Sequence, residues 1–205
     1  MFSSCLPHNQ TILPEIPDFD SAGTLFTNET HVLAGYQKDI KNTMVSGIGG
    51  KREGLETYME TAIRETVEEL FHVKHVPLVL IRKIILTVKP QDVGKNGSYI
   101  LVIYNFNDLE KILKIVRRML TSCPIYKKIP KTVIALILER KTRVKGAEII
   151  HLCILPMIKN ARLDIAFHED VLMILADQFS SCSIQSPLSS QDPEPMSLID
   201  PEQSQ

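Results

Sequence analysis

The chain has 205 residues, 44% hydrophobic and 23% charged, with 23 Lys and Arg against 24 Asp and Glu, which describes one ordinary folded domain with short extensions and excludes collagen, coiled coil and wholesale disorder. Its four cysteines, Cys5, Cys123, Cys153 and Cys182, stand apart without CxxC spacing, so neither a zinc knuckle nor a disulfide framework is expected, and a reducing, cytoplasmic or nuclear setting is. The opening MFSSCLPHNQTILPEIP has neither the basic start nor the apolar core of a secretory signal; the longest apolar run, Val133 to Leu138, falls far short of the ~20 residues that span a bilayer, so no membrane partner is expected.

In chain order, residues 1–22 carry Pro7, Pro14 and Pro17 among polar residues and read as an N-terminal arm. The runs GTLFT and HVLAGYQ, parted by Asn28-Glu29, predict a hairpin over Gly23 to Gln37. Thr43 to Gly50 predicts a strand that ends in glycines. A helix follows to Phe71, because Thr57 with Glu60 three residues on forms a capping box and no Gly or Pro interrupts the run. Val79 to Val88 and Ser98 to Asn105, rich in β-formers and flanking GKNG, predict two strands joined by a loop. Leu109 to Leu120 switches to helical period. Thr132 to Leu138 and Glu148 to Leu155 predict two buried strands, and Ile165 to Phe179 a helix covering a sheet. From Ser181 the chain turns to Ser, Gln, Pro and acid, the composition of a disordered tail. The resulting fold class is α+β, a mixed sheet covered on both faces, with the main domain over 23–180.

The chemistry concentrates between Gly50 and Glu69. Glu65, Glu68 and Glu69 stand at i, i+3 and i+4, so three carboxylates leave one helical face within reach of a common centre. Their repulsion is mild in water and expensive when buried, and a hard divalent cation removes it. The bland reading is a solvated acidic face. Against it stands the Gly49-Gly50 loop just ahead, where backbone can approach a ligand closely.

Gly50, Glu56, Arg64, Glu65, Glu68 and Glu69 stand at the spacing of the Nudix box, and the segment resembles that family over about a tenth of the chain. Two positions depart from the pattern: Thr66 replaces an aliphatic residue, and Phe71 replaces the glycine that ends the helix in a left-handed turn. The resemblance implies a Nudix-type α/β/α sandwich and metal-dependent hydrolysis of a pyrophosphate linkage in a nucleoside diphosphate derivative. It implies Mg²⁺ or Mn²⁺ held by Glu65, Glu68, Glu69 and the Gly49 or Gly50 carbonyl, with Glu56 auxiliary and Arg64 orienting the carboxylates. Glu68, Glu69 and Arg64 are the catalytic candidates. The general base stays open between Glu69 and Glu68, with Asp92, Glu139 and Glu148 as candidates outside the box. A Nudix-like fold used as a nucleotide- or RNA-binding module is the competing reading, and a structural protein with an acidic helix is a third.

Eleven basic residues lie between Lys111 and Lys145 against one acid, Glu139. As a polyanion track this segment points to capped RNA among the nucleotide-derived substrates, and hence to mRNA decapping; as a solvated face it points to nothing. Lys51, Arg52, Lys127, Lys128 and Lys131 are the substrate-binding candidates. Tyr104, Phe106 and Tyr126 are weighed as base-stacking platforms against the commoner use in a core. The histidines show no metal spacing.

Overall fold

Asn28 organises the first reversal of the chain. Its side-chain oxygen accepts the His31 N–H at 2.8 Å while Glu29 takes φ 73°, and strands β1 (Ser21–Thr27) and β2 (His31–Lys38) leave this turn as the expected antiparallel hairpin. The computed structural model describes residues 18–38 and 43–157. β1 starts inside the segment expected to be an arm; the helix expected over Ile165 to Phe179 and the tail from Ser181 lie outside the described residues.

The segment expected as one strand is two. β3 (Thr43–Ser46) pairs with β2, and after Gly47 the chain changes partner, so that β4 (Ile48–Lys51) pairs antiparallel with the start of β1. Helix α1 (Tyr58–Phe71) follows with the capping box in place. The next segment, expected as a strand, is helix α2 (Leu78–Thr87). Its buried residues Leu80, Ile81 and Ile84 repeat at helical spacing, while Arg82, Lys83 and Leu86 face water; β-formers in a short apolar run hid that period. β5 (Asp92–Asn96) and β6 (Tyr99–Asn105) form a hairpin whose turn is only Gly97-Ser98, with Gly97 at φ 58°. Most of GKNG therefore belongs to β5.

Helix α3 (Phe106–Met119) confirms the change of period. Thr132 to Leu138 is not a strand either: α4 (Val133–Leu138) starts at Thr132, whose hydroxyl accepts the Ala135 N–H at 3.2 Å, and buries Val133 and Leu136 while leaving Ile134 and Leu138 exposed. β7 (Ile149–Pro156) then returns antiparallel along β2.

The sheet order is β3-β2-β1-β6-β5, with β4 also on β1 and β7 also on β2; β1 and β6 run parallel and the other pairs antiparallel, which is the expected mixed α+β sheet. Alternation splits its side chains. Ala22, Phe26, Ile100, Val102 and Tyr104 join all four described helices in one core, while Leu25, Val32, Ala34, Leu101 and Ile103 form a second cluster on the other face. Tyr104 stacks on Phe26 at 5.8 Å and Tyr126 packs on Phe71, so these two tyrosines serve the core rather than a nucleobase. Among the described residues no helix is long and apolar enough to cross a membrane.

Ile63, Val67 and Leu70 anchor α1 against the sheet, each fully buried and each contributing about 1.5–3 kcal/mol. Thr66 sits in the same buried row. Its hydroxyl is 2.7 Å from that of Thr24 on β1 and 2.7 Å from the Ala62 carbonyl, so the departure from an aliphatic residue is answered by a second threonine across the interface.

Candidate active site

The phase of α1 is set at its first residue. Thr57 accepts the Glu60 N–H at 3.2 Å, and the Glu60 carboxylate accepts the Thr57 N–H at 3.0 Å. Counting from there, Arg64, Glu65, Glu68 and Glu69 fall on the side that meets β4. The two glycines of β4 permit that meeting. A Cβ on Gly50 would overlap the Glu65 carboxylate; one on Gly49 would lie 2.6 Å from the Gly23 Cα and 2.7 Å from the Tyr99 hydroxyl. The doublet is a requirement of close packing.

Arg64 is the hub. Although only 5% exposed, its guanidinium donates to both oxygens of Glu56 (2.8 and 3.1 Å), to Glu65 (2.9 Å), to Glu68 (2.9 Å) and to the Lys51 carbonyl (2.7 Å). A planar fork can hold these carboxylates in one arrangement where an ammonium cannot. Burial alone would lower its pKa, yet the bonds and charges of Glu56 and Glu65 raise it above the ordinary value. For Glu56, burial pushes upward but is outweighed by Arg64, the Glu53 N–H and Thr61, leaving its carboxyl below the usual range. Glu56 thus ties the loop ahead of α1 to the middle of the helix.

The other three carboxylates shift the other way. Burial raises Glu65 and Glu68, with Arg64 opposing in both. Glu69, 7% exposed, is pushed up to about 9 by burial first and then by the charges of Glu65 and Glu148; the Gly49 N–H, 3.0 Å from its Oε2, and Arg140 pull it down without prevailing. Glu65, Glu68 and Glu69 line one cavity of about 270 Å³ with His72, Val73, Lys74, Gly146 and Glu148.

Among the described residues no three carboxylate, imidazole or thiolate groups already close on one point; Glu65 and Glu68 lean on Arg64, and Glu69 on Gly49. The donor set is nonetheless all oxygen, which suits Mg²⁺ or Mn²⁺. Buried carboxylates that repel one another are also the arrangement a divalent cation relieves. In an antiparallel strand N–H and C=O of one residue face the same edge, so the Gly49 carbonyl turns toward Glu69 with its N–H.

At the helix end the Phe71 departure predicts a helix that runs on through His72 or ends in a different turn, while the support of its carbonyls escapes the sequence. Phe71 stays helical and fully buried, and the left-handed turn moves one residue on, to His72 at φ 53°. No basic residue lies in the last turn of α1. Its terminal carbonyls are taken instead by Arg140, which donates to Glu69 O at 3.0 Å and Leu70 O at 2.7 Å, to Ile149 O at 2.7 Å and to the Tyr126 hydroxyl at 3.2 Å. Arg140 is buried and belongs to the support of the site, not to a polyanion track. Nothing in its sequence neighbourhood distinguishes it from the other basic residues of that segment.

Of the three distant base candidates, the structure brings Glu148 to the cavity; Asp92 opens β5 and Glu139 ends α4. His72 and Lys74, which carry no sequence signal, also line it. Lys51 contributes a backbone carbonyl to Arg64, and Arg52 stacks on the Phe19 ring at 4.6 Å beside a separate apolar cavity of about 590 Å³. Lys127, Lys128 and Lys131 line neither of these cavities but two grooves beside α3.

No family profile matches the chain, and no characterised protein matches it in sequence. Solved structures do resemble it in shape. A mutT/nudix family protein from Listeria innocua shares 14% identity over 82% of this chain and 95% of its own, with a TM-score of 0.36. The Nudix hydrolase RenU of M. smegmatis shares 13% over 79% and 87%, with a TM-score of 0.41. A bifunctional NMN adenylyltransferase/ADP ribose pyrophosphatase from Francisella tularensis, solved with AMP and a Mn ion, shares 13% over 80% of this chain, with a TM-score of 0.38; the chain spans 43% of that protein's length.

Proposed function

We propose that this protein is a Mg²⁺- or Mn²⁺-dependent hydrolase of the Nudix type, which cleaves a pyrophosphate linkage in a nucleoside diphosphate derivative, the 5′ cap of RNA being one member of that class. The observation that carries this reading is the buried Glu69 carboxylate, held by the Gly49 N–H in a cavity that it shares with the carboxylates of Glu65, Glu68 and Glu148. The solvated-face alternative requires Glu69 to be exposed.

Glu65, Glu68, Glu69 and the Gly49 carbonyl would hold the metal, which when bound neutralises pyrophosphate charge and acidifies water. Arg64 orients Glu65 and Glu68 and touches no reacting atom. Lys74, which lines the same cavity, would take a phosphate oxygen. In the reaction a water oxygen forms a bond to one phosphorus, the bridging P–O bond breaks, and the water proton passes to a carboxylate. Glu148, exposed in the same cavity, is our candidate to accept it, since Glu69 lies deeper and is held on one oxygen by Gly49.

The binding-module reading rests on Thr66 and Phe71, and both departures are accommodated: Thr66 by Thr24, Phe71 by burial against Tyr126. The test is a substrate panel with Mg²⁺ and Mn²⁺: capped RNA, nucleotide sugars, ADP-ribose, dinucleoside polyphosphates and oxidised dNTPs. Turnover of at least one, abolished by EDTA, is expected. Binding without turnover across the panel would instead establish the module.

A further inference from the structure

The charge on the far side of α1 is organised, and the acidic site does not use it. Along α3, Lys111, Lys114 and Arg117 follow one another at i, i+3 and i+6, roughly 5–6 Å apart, all exposed and outside the buried stripe of Leu109, Ile112, Leu113 and Val116. With Lys131 they line a groove of about 370 Å³. Arg117 is shared with a second groove of about 270 Å³, whose wall also holds Lys127, Lys128 and Cys123. Lys111 is paired with Asp108, and Glu110 lies in the first groove capping α4. Among the described residues Lys114, Arg117, Lys127, Lys128 and Lys131 have no ion-pair partner. The second groove starts beside the candidate active site: the Cys123 thiol donates to the Phe71 carbonyl at 3.2 Å, and the next residue, His72, lines the acidic cavity.

We propose that these two adjoining grooves bind the phosphate backbone of single-stranded RNA whose 5′ end lies in the acidic cavity. The inference deepens the proposed function and depends on it only for the placement of that end. Six cations over two grooves exceed what one phosphate group can engage, so a chain of phosphates is the matching ligand. The cations line two adjoining depressions that meet at Arg117, a curved path that suits a flexible single strand better than a stiff duplex. The exposed apolar residues of α4 among the described residues, Ile134 and Leu138, line neither groove, whereas a membrane surface would set exposed apolar residues beside the charge.

The test measures binding alone, on the whole chain in EDTA. A fluorescent uncapped oligouridylate of about 12 nucleotides, within the span of a typical single-strand site, is titrated by anisotropy across a KCl series. Affinity should fall with a log-log slope near −0.7 per phosphate contacted. The variant K114Q/R117Q/K127Q/K128Q should flatten the slope by roughly 2–3, bind more than about tenfold more weakly at low salt, and melt like wild type, since all four side chains are exposed. The control K83Q/K89Q removes exposed cations outside the grooves and should leave the slope unchanged. Equal loss in the control, an unchanged slope in the groove variant, or groove-dependent binding to phosphatidylserine vesicles at least as strong as to RNA would each overturn the proposal. A silent substrate panel would remove the hydrolase reading while leaving this measurement standing, so the two fail separately.

Discussion

Helices α1 and α3 are both 14 residues long, both start on a capping box, Thr57 with Glu60 and Asn105 with Asp108, and both carry a strongly charged face. There the likeness ends. The charges of α1 are enclosed between the helix and β4 and cross-linked through Arg64, so each carboxylate has a fixed neighbour. The cations of α3 point to water, and its basic last turn, Arg117 and Arg118, complements its own helix dipole. α1 has no such residue and borrows Arg140 from 70 positions away. A buried charge needs a partner and is thereby positioned; an exposed charge needs none and is free to act collectively. Fixed geometry suits chemistry at one atom, and a free charged face suits a ligand with many.

The sharpest way to break this contrast is at the hub. Replacing Arg64 by Met strands Glu56, Glu65 and Glu68 around an apolar chain, and removing one partner of a buried ionic cluster costs about 3–5 kcal/mol. Arg117→Met on α3 should cost no more than about 0.5 kcal/mol, as surface changes do. Urea unfolding of the two variants side by side checks this. Equal costs would show that α1 charges are as solvated as those of α3.

Activity gives the next effect. Glu69→Gln keeps the shape of the side chain and removes its charge, so turnover on whichever panel substrate is cleaved should fall about 10²-fold or more. Glu65→Gln should act alike, and the double variant should lose little beyond either single one, because both serve one charge cluster. Small, additive losses would return the carboxylates to a solvated face.

The contrast between the two helices also explains what sequence could convey. The capping box, the i, i+3, i+4 carboxylates and the Gly-Gly approach are local, so α1 and its acidic face were legible before any coordinates. Period carried α3, and alternation carried β1, β2, β6 and β7. It failed for α2 and α4, where short runs of Leu, Ile and Val fit a buried strand and a buried helix face equally well, and only the exposure of Leu86, Ile134 and Leu138 tells them apart. Arg140 is indistinguishable in sequence from its basic neighbours because burial is tertiary information. Thr66 and Phe71 looked like defects for the same reason, since their partners Thr24 and Tyr126 lie far along the chain.

Gly50→Ala sharpens the acidic side without touching a charge. Its methyl would occupy the place of the Glu65 carboxylate, and a misplacement near 1 Å can cost up to about 10²-fold in rate. We expect roughly tenfold, less than at Glu69, because the carboxylate survives and can swing aside. Turnover near that of wild type would mean that Glu65 is not held where its contact with Gly50 places it.

The last effect is on stability against pH in the metal-free protein. Glu69 is raised in the fold to about 9, whereas in the unfolded chain it titrates near 4.5. Below the lower value both states are protonated and the group costs nothing. Between the two the unfolded state has lost its proton while the folded state keeps it, so stability falls as pH rises, and above the upper value the full penalty is present. Glu56, depressed in the fold, acts in the opposite sense, contributing stability above its ordinary value that is lost in acid. Between about pH 5.5 and pH 8.5 Glu69 should therefore dominate, and wild type in EDTA should lose urea resistance where Glu69→Gln loses less. Adding Mg²⁺ at the higher pH should restore wild type and leave the variant unmoved, because relief by a cation requires the ionised carboxylate. Parallel pH curves for the two proteins would show that Glu69 carries no buried charge, and the acidic face of α1 would then be as ordinary as its counterpart on α3.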